Sequence, residues 1–578
     1  MCGLLGVVRN GINDPSKERR SLDTMKHRGP DQWGEWYNDR VYIGHRRLSI
    51  LDLSESGRQP MISGKIILTV NGEIYNYLPL KEELKKKYSF KSKSDSEVLL
   101  YGYREWGIRR LLEKIEGMFS FVIYDGESNE IFLARDRAGI KPLYYGYENN
   151  VFIWSSELKA IREYFGETEL KKDQTAIYDF YTYLYIPAPK TLYENIRKLE
   201  PGHYVKYSVN RNSIEKFSYW KLEPGNNLKI TPEKAAEQLR YLVEKSVSDQ
   251  MMSHVPVGFF LSGGIDSSVV VESAVKTNDI INTYTIGFDV SDYNENEYAG
   301  IVAGLLGTNH LEKILDSSRA AELLEKIPGW YDEPFADTSA VPTFLVSEFA
   351  KTGSTVVLTG DGGDEIFGGY KWYDKFMRNN NSSGRFLKIF MKSISNIRAR
   401  NSYSMLGRTL NRVEYFYASE LELYAKLLGG LMKHQKSFLR EKYDISNDYD
   451  DYWYFRKYDR PDLSARKRLQ YIDFHTYLPD DILTKVDRAS MQVSLECRVP
   501  LLDTGIIEFM FSLPEEMVYF NGQLKGLLKL AYRDILPENI LHRPKHGFSI
   551  PVRHWQHTSS FRGFHSNPEM MQSLYQLD

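Results

Sequence analysis

The sequence predicts a multidomain α/β protein, with a layered α+β region followed by a parallel α/β region that carries additional helices. Three observations support this fold class. The chain has 578 residues, more than one hydrophobic core accommodates. Short runs rich in β-branched and aromatic residues, such as IILTVNGEIYNY (66–77), fill the first part. Beyond residue 231, apolar runs such as VPVGFFL (255–261) and STVVLTG (354–360) alternate with helical segments, which is typical of a parallel sheet.

The N-terminal region is predicted to alternate strands and helices up to residue 210. MFSFVIYD (118–125) has the composition of a strand, whereas LPLKEELKKKY (78–88) has the spacing of a helix with a charged face. A linker with Pro and Gly follows over 211–230. A strong helical stretch then begins at Thr231, a plausible N-cap. The predicted domains are therefore residues 1–210 and 231–578.

Composition excludes several classes of function. The net charge is −2 with 26% charged residues, so no overall field draws the chain to nucleic acid. No run of roughly 18 apolar residues predicts a membrane span, and the N-terminus lacks the pattern of a secretory signal. The two cysteines cannot form a disulfide framework, which favours a reducing compartment and predicts a cytoplasmic protein.

Cys2 directly follows the initiator methionine, which we expect to be removed before so small a residue. Removal would leave a thiol and a free α-amine on one carbon. The pKa of an α-amine is about 7.7–8.0, low enough for the amine to act as a base at neutral pH. The thiolate could then attack an acyl carbon. The alternative is a buried structural cysteine in an apolar strand.

Four polar clusters accompany Cys2 at the ends of predicted strands: HRGPD (27–31), HRRLSILD (45–52), NGEIYN (71–76) and SDSE (94–97). Together they resemble the glutaminase domain of class II amidotransferases, which has the N-terminal-nucleophile hydrolase fold. The resemblance extends through SSELKAI (155–161). It implies that Cys2 is the nucleophile and that its own amine is the base.

The same resemblance implies the remaining glutamine-site roles. Asn71 and the backbone N–H of Gly72 would form the oxyanion hole. Arg47 would bind the α-carboxylate of glutamine, a task suited to a bidentate guanidinium, while Glu73 and Asp95 would hold its α-ammonium. The predicted glutamine-binding residues are Arg47, Leu48, Ser49, Ile50, Leu51, Asn71, Gly72, Glu73 and Asp95.

A second group of residues predicts a phosphate site. SGGIDS (262–267) follows an apolar strand and opens a helix, so free backbone N–H groups and the helix dipole can face a phosphate. The Walker pattern is absent. A structural turn is the alternative, but SGGIDS resembles the pyrophosphate loop of ATP pyrophosphatases, which split ATP into AMP and pyrophosphate.

A second glycine loop, LTGDGGDEIFGGY (358–370), follows another strand. Its carboxylates suit a hard cation, and we predict that Asp266 and Asp364 bind Mg²⁺. Ile286 falls where the strand of the family lines the adenine pocket. The predicted ATP-binding residues are Phe260, Ser262, Gly263, Gly264, Asp266, Ser267, Ile286, Thr359 and Gly360.

TKVDRASMQVSLECRVPLLD (484–503) and HRPKHGFSIP (542–551) extend the resemblance to the glutamine-hydrolysing asparagine synthetase family. The resemblance implies catalytic roles for Lys545 and Asp361. It also implies that glutamine, ATP with Mg²⁺ and a carboxylate acceptor are the substrates, that aspartate is the acceptor, and that ammonia passes internally between the two sites. A homodimer is a further expectation.

Two departures leave the acceptor open. One branch of the family has an arginine in the segment that binds aspartate, where this chain has Thr338 within YDEPFADTSAVPT (331–343). Asp361 stands where that branch has glutamate. A uronic acid of a surface polysaccharide is therefore the alternative acceptor. A catalytically idle scaffold, a glutaminase with an inactive second domain and a β-lactam-forming relative are disfavoured by the retained Cys2 and second-domain motifs.

Overall fold

The structure is a computed structural model that describes residues 1–543, except residues 13, 226–227, 279, 289–294, 316–318, 320–321, 324, 381–417 and 432. The described chain contains two six-stranded sheets and one five-stranded sheet. Within these residues, every helix is too short or too polar to span a bilayer.

The N-terminal half consists of two antiparallel sheets. The first has the strand order β10-β8-β9-β1-β3-β2, and the second has the order β12-β11-β7-β6-β5-β4. The strands are β1 (Gly3–Val8), β2 (Gln32–Tyr37), β3 (Val41–Arg47), β4 (Met61–Ser63), β5 (Ile66–Ile74), β6 (Gly117–Asp125), β7 (Glu130–Arg135), β8 (Tyr144–Glu148), β9 (Val151–Ser155), β10 (Ile196–Lys198), β11 (His203–Ser208) and β12 (Ser213–Ser218).

The two sheets pack face to face and helices cover both outer faces. Leu4 of β1 and Val122 of β6 belong to the core between the sheets, while Leu22 of α1 packs on the outer face of the first sheet. Because both faces of each sheet are covered, strands such as β5 are buried almost throughout. This arrangement confirms the predicted layered α+β architecture. The helices are α1 (Ser16–Asp23), α2 (Tyr77–Leu84), α3 (Glu97–Lys114), α4 (Leu158–Phe165) and α5 (Gln174–Tyr183).

The C-terminal half contains a five-stranded parallel sheet in the order β15-β14-β13-β16-β17. Its strands are β13 (Val257–Phe260), β14 (Asn282–Phe288), β15 (Asn309–Leu315), β16 (Val356–Leu358) and β17 (Glu496–Arg498). Apolar runs predicted β13, β14 and β16, because strands covered on both faces are apolar throughout. The parallel sheet confirms the predicted α/β class.

Helices surround this sheet and make up most of the described chain beyond it. The first of them, α6, begins after Thr231, whose side chain accepts a hydrogen bond from the Lys234 N–H as the predicted N-cap. The helices are α6 (Pro232–Gln250), α7 (Ile265–Val275), α8 (Asn296–Leu306), α9 (Ile327–Tyr331), α10 (Ala340–Ala350), α11 (Gly363–Phe367), α12 (Lys371–Asn380), α13 (Glu420–Leu427), α14 (Lys433–Lys442), α15 (Trp453–Lys457), α16 (Ala465–His475), α17 (Leu483–Met491), α18 (Thr504–Ser512), α19 (Glu515–Val518), α20 (Gly526–Tyr532) and α21 (Glu538–Leu541).

The boundary between the halves lies in the segment that follows the last antiparallel strand. Strand β12 ends at Ser218 and α6 begins at Pro232. We propose that the division of the chain falls in this interval, so that the first domain includes β12 and extends beyond residue 210.

A buried ion-pair network joins the two halves. The guanidinium of Arg28 lies 2.8 Å from Asp487 of α17 and 2.9 Å from Glu157, and its Nε donates to the carbonyl of Cys2 at 3.0 Å. Arg28 and Glu157 have no exposed side-chain surface. Arg28 therefore ties the backbone of the N-terminal cysteine to the second half of the chain.

We expect Arg28→Met to destabilise the docking of the two halves by about 3–5 kcal/mol, because it removes the cation that lies 2.8 Å from the buried carboxylate of Asp487. Urea titration of the full chain, followed by fluorescence and circular dichroism, measures the shift of the first unfolding transition. The matched control is Arg19→Met, which breaks a surface pair with Glu35 and should cost less than about 1 kcal/mol. Equal shifts for the two variants would contradict the prediction.

Candidate active site

Cys2 lies immediately before β1, at the interface with the second half of the chain. It is buried, and its backbone N–H donates to Asn71 Oδ1 at 2.9 Å. Burial raises the pKa of the thiol, which the positive N-terminus and the N–H of Leu48 oppose in part. A thiol with a raised pKa needs a base beside it to react. If Met1 is removed, the nitrogen of Cys2 itself becomes that amine.

Asn71 and Gly72 lie in the middle of β5, beside the cysteine. The Asn71 side chain accepts from Cys2 through Oδ1, and its Nδ2 donates to Ser120 Oγ at 3.5 Å. A Cβ atom at Gly72 would lie 2.0 Å from the carbonyl oxygen of Met118. The strand therefore requires glycine here, and the amide of Asn71 is held beside Cys2.

Glu73 of β5 and the neighbouring Asp95 form a pair of buried carboxylates. Asp95 accepts from the backbone N–H of Ile74 at 2.7 Å, and Arg498 Nη2 lies 3.8 Å from Glu73 Oε1. Burial and the negative charge of Asp95 raise the pKa of Glu73 well above its usual range. Burial likewise raises the pKa of Asp95. A cation stabilises the charged form of two such buried carboxylates, and an α-ammonium group fits this requirement.

We expect Glu73→Gln to raise the KM for glutamine about 10- to 100-fold at neutral pH, because a hydrogen bond to a charged group contributes about 1.5–3 kcal/mol. In the unchanged protein the KM should rise as the pH falls towards the raised pKa, since protonation removes the negative charge. The variant should show a weaker dependence, because only Asp95 then titrates beside the substrate ammonium. Steady-state glutaminase assays from pH 5 to 8 measure both effects, with Glu113→Gln on the exposed face of α3 as the control. A KM as strongly pH-dependent in Glu73→Gln as in the unchanged protein would contradict this role.

Arg47 ends β3 with its guanidinium enclosed by the following loop. It donates to the carbonyls of Leu51 at 3.0 Å and Asp52 at 2.6 Å, and to Gln32 Oε1 at 2.7 Å. A Cβ atom at Gly57 would lie 2.2 Å from Nη2. The loop thus fixes the orientation of the guanidinium and keeps the cation buried near Cys2, whose pKa it lowers.

The loop of residues 48–51 runs from the thiol towards the second half of the chain. It starts with Leu48, whose N–H faces Cys2. The Ser49 N–H donates to Asp31 Oδ2 at 2.7 Å, and the carbonyl of Ile50 accepts from the N–H of His254 at 3.1 Å. The predicted glutamine-site residues therefore share one region at the domain interface.

The second half contains a cavity of about 950 Å³. It lies at the carboxyl ends of β13, β14 and β16, where ligands bind in parallel sheets. Of the residues predicted to bind ATP or metal, the structure places these along its wall: Phe260, Ser262, Gly264, Asp266, Ser267, Ile286, Thr359, Gly360 and Asp364. Asp361, predicted as a catalytic residue, lines the same wall.

The predicted pyrophosphate loop connects β13 to α7. Ser262 Oγ lies 3.1 Å from Ser267 Oγ, which holds the two ends of the loop together. Gly263 has φ +68°, and a Cβ atom there would lie 2.5 Å from the backbone of Tyr298. This glycine is needed for the turn, although it does not line the cavity. The N-terminus of α7 faces the cavity with Asp266 in its first turn.

The second glycine loop connects β16 to α11. Thr359 Oγ1 donates to Asp361 Oδ2 at 2.8 Å. Burial raises the pKa of Asp361, and the Lys485 ammonium opposes this rise. Lys485 Nζ lies 3.0 Å from Asp337 Oδ2. Burial alone would raise the pKa of Asp337, but the Lys485 ammonium and hydrogen bonds from Ser339 lower this pKa to about 2. This wall of the cavity is acidic, with one lysine shared among its carboxylates.

Asp266 and Asp364 fit a hard divalent cation, because both carboxylates approach a single point. Oxygens of both contact one ammonium nitrogen, Lys525 Nζ. No group of three possible metal ligands occurs among the described residues. A cation held here would therefore take its other ligands from phosphate oxygens and water, which is the usual way in which Mg²⁺ binds with nucleotides.

Some functional side chains at the cavity were missed by the sequence interpretation. Lys525 bridges the two carboxylates, and Arg543 Nη1 donates to the carbonyl of Ser262 at 2.9 Å. Lys525 lies in no motif that the sequence analysis identified, whereas Arg543 lies within HRPKHGFSIP (542–551), where only Lys545 was given a role. Lys545, the predicted catalytic lysine, lies outside the described residues.

Strand β17 connects the glutamine site and the ATP site. Its Glu496 Oε2 lies 3.1 Å from the N-terminal ammonium, and its Arg498 carbonyl accepts from the N–H of Thr359 at 2.9 Å. Glu496 and Arg498 also pair with each other at 2.7 Å. One three-residue strand therefore touches the thiol end of the first half and the nucleotide loop of the second.

An N-terminal-nucleophile fold with a buried cysteine at position 2, joined to a parallel α/β domain that carries the predicted pyrophosphate loop, is the arrangement expected of an ATP-dependent ligase that uses glutamine. Comparison with known proteins agrees. The sequence model described as glutamine amidotransferase domain matches residues 1–220, and the model described as asparagine synthase matches residues 238–566. The chain belongs to the asparagine synthase family and is an ATP-dependent glutamine amidoligase.

Individual relatives cover nearly the whole chain. Asparagine synthetase [glutamine-hydrolyzing] 1 of Bacillus subtilis is 33% identical, over 96% of this chain and 88% of that protein. Amidase chry2 of Gibberella zeae is 28% identical over 96% of this chain and 90% of that protein. A solved glutamine phosphoribosylpyrophosphate amidotransferase from B. subtilis covers 62% of this chain and 82% of that chain, with 14% identity and a TM-score of 0.31, a likeness too low to support any conclusion.

Proposed function

We propose that this protein transfers the amide nitrogen of glutamine to the side-chain carboxylate of aspartate, with ATP split to AMP and pyrophosphate. The observation that supports this most directly is β17, which contacts the α-ammonium of Met1, the residue before Cys2, through Glu496 and the nucleotide loop through Arg498. A reaction that releases ammonia at one site and consumes it at another needs such a shared element. A homodimer and a cytoplasmic location stay predictions from the sequence.

In the first half, the Cys2 thiolate attacks the side-chain amide carbon of glutamine, while the α-amine takes the thiol proton and passes it to the leaving nitrogen. The Asn71 amide and the Gly72 N–H stabilise the negative oxygen of the tetrahedral intermediate. Ammonia leaves and a thioester stays, which water then hydrolyses to glutamate. Glu73 and Asp95 hold the substrate ammonium, and Arg47 holds its carboxylate.

In the second half, the acceptor carboxylate attacks the α-phosphorus of ATP, and the bond to the pyrophosphate oxygen breaks. The backbone N–H groups of residues 262–267 bind the departing pyrophosphate at the N-terminus of α7. A magnesium ion held by Asp266 and Asp364 would neutralise charge on the triphosphate. Ammonia then attacks the acyl carbon of the adenylate, and AMP leaves with the electron pair.

A second acceptor class, a uronic acid, is favoured by the shape of the acceptor side of the cavity. Thr338 lines it where a branch of the family has arginine, and the rings of Tyr370 and Trp372 stack with centroids 3.7 Å apart in the same wall. Aromatic faces offer a large, rigid apolar surface on which a sugar ring can lie. Aspartate, by contrast, needs a cation for its α-carboxylate, and Lys485 already pairs with Asp337.

The experiment that separates these acceptors uses glutamine labelled with ¹⁵N in its amide. The full chain is incubated with ATP, Mg²⁺ and either aspartate or a panel of uronic acids, and products are identified by mass spectrometry. Labelled asparagine supports the proposed function, whereas a labelled uronamide with no asparagine supports the second acceptor. The absence of label from every product formed with AMP would contradict both.

A further inference from the structure

Lys525 bridges the two carboxylates that we propose as metal ligands. Its Nζ contacts Asp266 Oδ2 and lies 2.7 Å from Asp364 Oδ1. The three groups come from separate elements: Asp266 from the first turn of α7, Asp364 from α11, and Lys525 from the position directly before α20. The Lys525 side chain is only 9% exposed. We call this arrangement the carboxylate–lysine bridge.

The chain around the carboxylate–lysine bridge leaves no spare room. A Cβ atom at Gly369 would lie 2.0 Å from Asp364 Oδ1 and 2.1 Å from Lys525 Cε. At Gly363 it would lie 2.7 Å from Asp266 Oδ1. Only glycine backbone fits against the three charged groups. Because Lys525 Nζ already contacts Asp266 Oδ2 and Asp364 Oδ1, the ammonium and a metal ion cannot both lie between these two oxygens.

Charge keeps the lysine in place. The Lys525 ammonium contacts one oxygen of each carboxylate. It balances two carboxylates that would otherwise repel each other in a partly buried cavity.

We propose that Lys525 is an internal substitute for the metal ion. In the ligand-free protein its ammonium holds the position between Asp266 and Asp364, and it moves to the phosphates when the metal arrives with its nucleotide. The inference rests on the proposed function, which supplies the metal and the triphosphate. A metal ion alone must displace the ammonium without offering it a new partner, whereas a metal ion bound to a polyphosphate brings that partner with it.

The first test measures Mn²⁺ binding to the full chain by electron paramagnetic resonance, without nucleotide. Lys525→Met should bind Mn²⁺ at least about tenfold more tightly than the unchanged protein, because the competing cation is gone. Lys245→Met, which removes an exposed lysine 2.7 Å from Asp249, is the matched control and should leave the affinity unchanged. Equal or weaker binding by folded Lys525→Met would overturn the inference.

The second test uses the unchanged protein and does not depend on the folding of a lysine variant. Inorganic pyrophosphate should increase the affinity for Mn²⁺ at least about tenfold, since it accepts the displaced ammonium, and Asp364→Asn should abolish this bound signal. In folded Lys525→Met, pyrophosphate should increase the affinity for Mn²⁺ by a smaller factor. The lysine contributes to the coupling free energy between Mn²⁺ and pyrophosphate, and the variant lacks that contribution. Equally tight Mn²⁺ binding with and without pyrophosphate, at a site that Asp364→Asn removes, would refute the inference.

These outcomes are separate from those that test the proposed function. Suppose that the unchanged protein releases pyrophosphate with a carboxylate acceptor, but that Lys525→Met binds Mn²⁺ with the same affinity. The proposed function then stands, and only the inference about Lys525 is refuted. Failure to release pyrophosphate with any acceptor counts against the function itself.

Discussion

Cys2→Ala should abolish synthesis driven by glutamine and leave synthesis driven by ammonium salts measurable. The substitution removes the thiol that attacks the amide, so glutaminase turnover should fall by at least about 10³-fold, which corresponds to roughly 4 kcal/mol of lost transition-state stabilisation. The cavity of the second half contains no part of Cys2, and externally supplied ammonia can still reach the adenylate. Parallel assays of glutamate, AMP and amidated product measure both activities in one preparation.

The second cysteine offers a matched control. Cys497 is buried in an apolar cluster with Val357 and Leu495, and burial raises the pKa of its thiol. Cys497→Ala should therefore keep both activities at close to their original level. Loss of ammonia-driven synthesis in folded Cys2→Ala would contradict two separate sites, whereas loss of glutaminase activity in Cys497→Ala alone would be inconsistent with Cys2 as the nucleophile.

Asp266→Asn and Asp364→Asn should each reduce pyrophosphate release by at least about 10³-fold, or roughly 4 kcal/mol. Each removes one of two carboxylates that would bind the metal, and each also takes a charge from the pair that Lys525 neutralises. Hydrolysis of glutamine should continue, because both residues line the cavity of the second half. Coupled assays of pyrophosphate and glutamate, run side by side, measure the two rates.

Asp249→Asn, on the exposed face of α6, serves as the control for the loss of a paired aspartate and should change neither rate. Pyrophosphate release by Asp364→Asn at the rate of the unchanged protein would rule out Asp364 as a metal ligand. A parallel collapse of glutaminase activity would instead mean that the two sites do not function separately.

Contiguous motifs made much of this molecule predictable. The segment SGGIDS (262–267) contains the turn glycine, the start of the helix and the acidic residue within six consecutive residues. Local geometry alone therefore brings these groups together. The two apolar strands β13 and β16 likewise follow from runs of residues that only a covered sheet accommodates. The fold class and the family were therefore accessible from the sequence.

Residues that gain their role from distant contacts were not predictable in the same way. Lys525 comes from the start of α20 and meets Asp266 only in the folded chain, and nothing in its neighbours marks it. Glu496 lies within a motif that the sequence interpretation quoted, but its contact with the N-terminus joins positions 495 residues apart. Pairings over such separations depend on how the domains dock, which no local pattern encodes.

Strand β17 has a consequence for protein engineering. Its Glu496 and Arg498 side chains form a buried wall beside the N-terminal end of the chain, although they belong to the other half by sequence. A chimera that grafts this glutaminase onto a foreign synthetase would lose that wall unless the recipient supplies an equivalent strand. The glutaminase domain therefore cannot be exchanged by itself, and a chimera that contains it must also contain Glu496–Arg498.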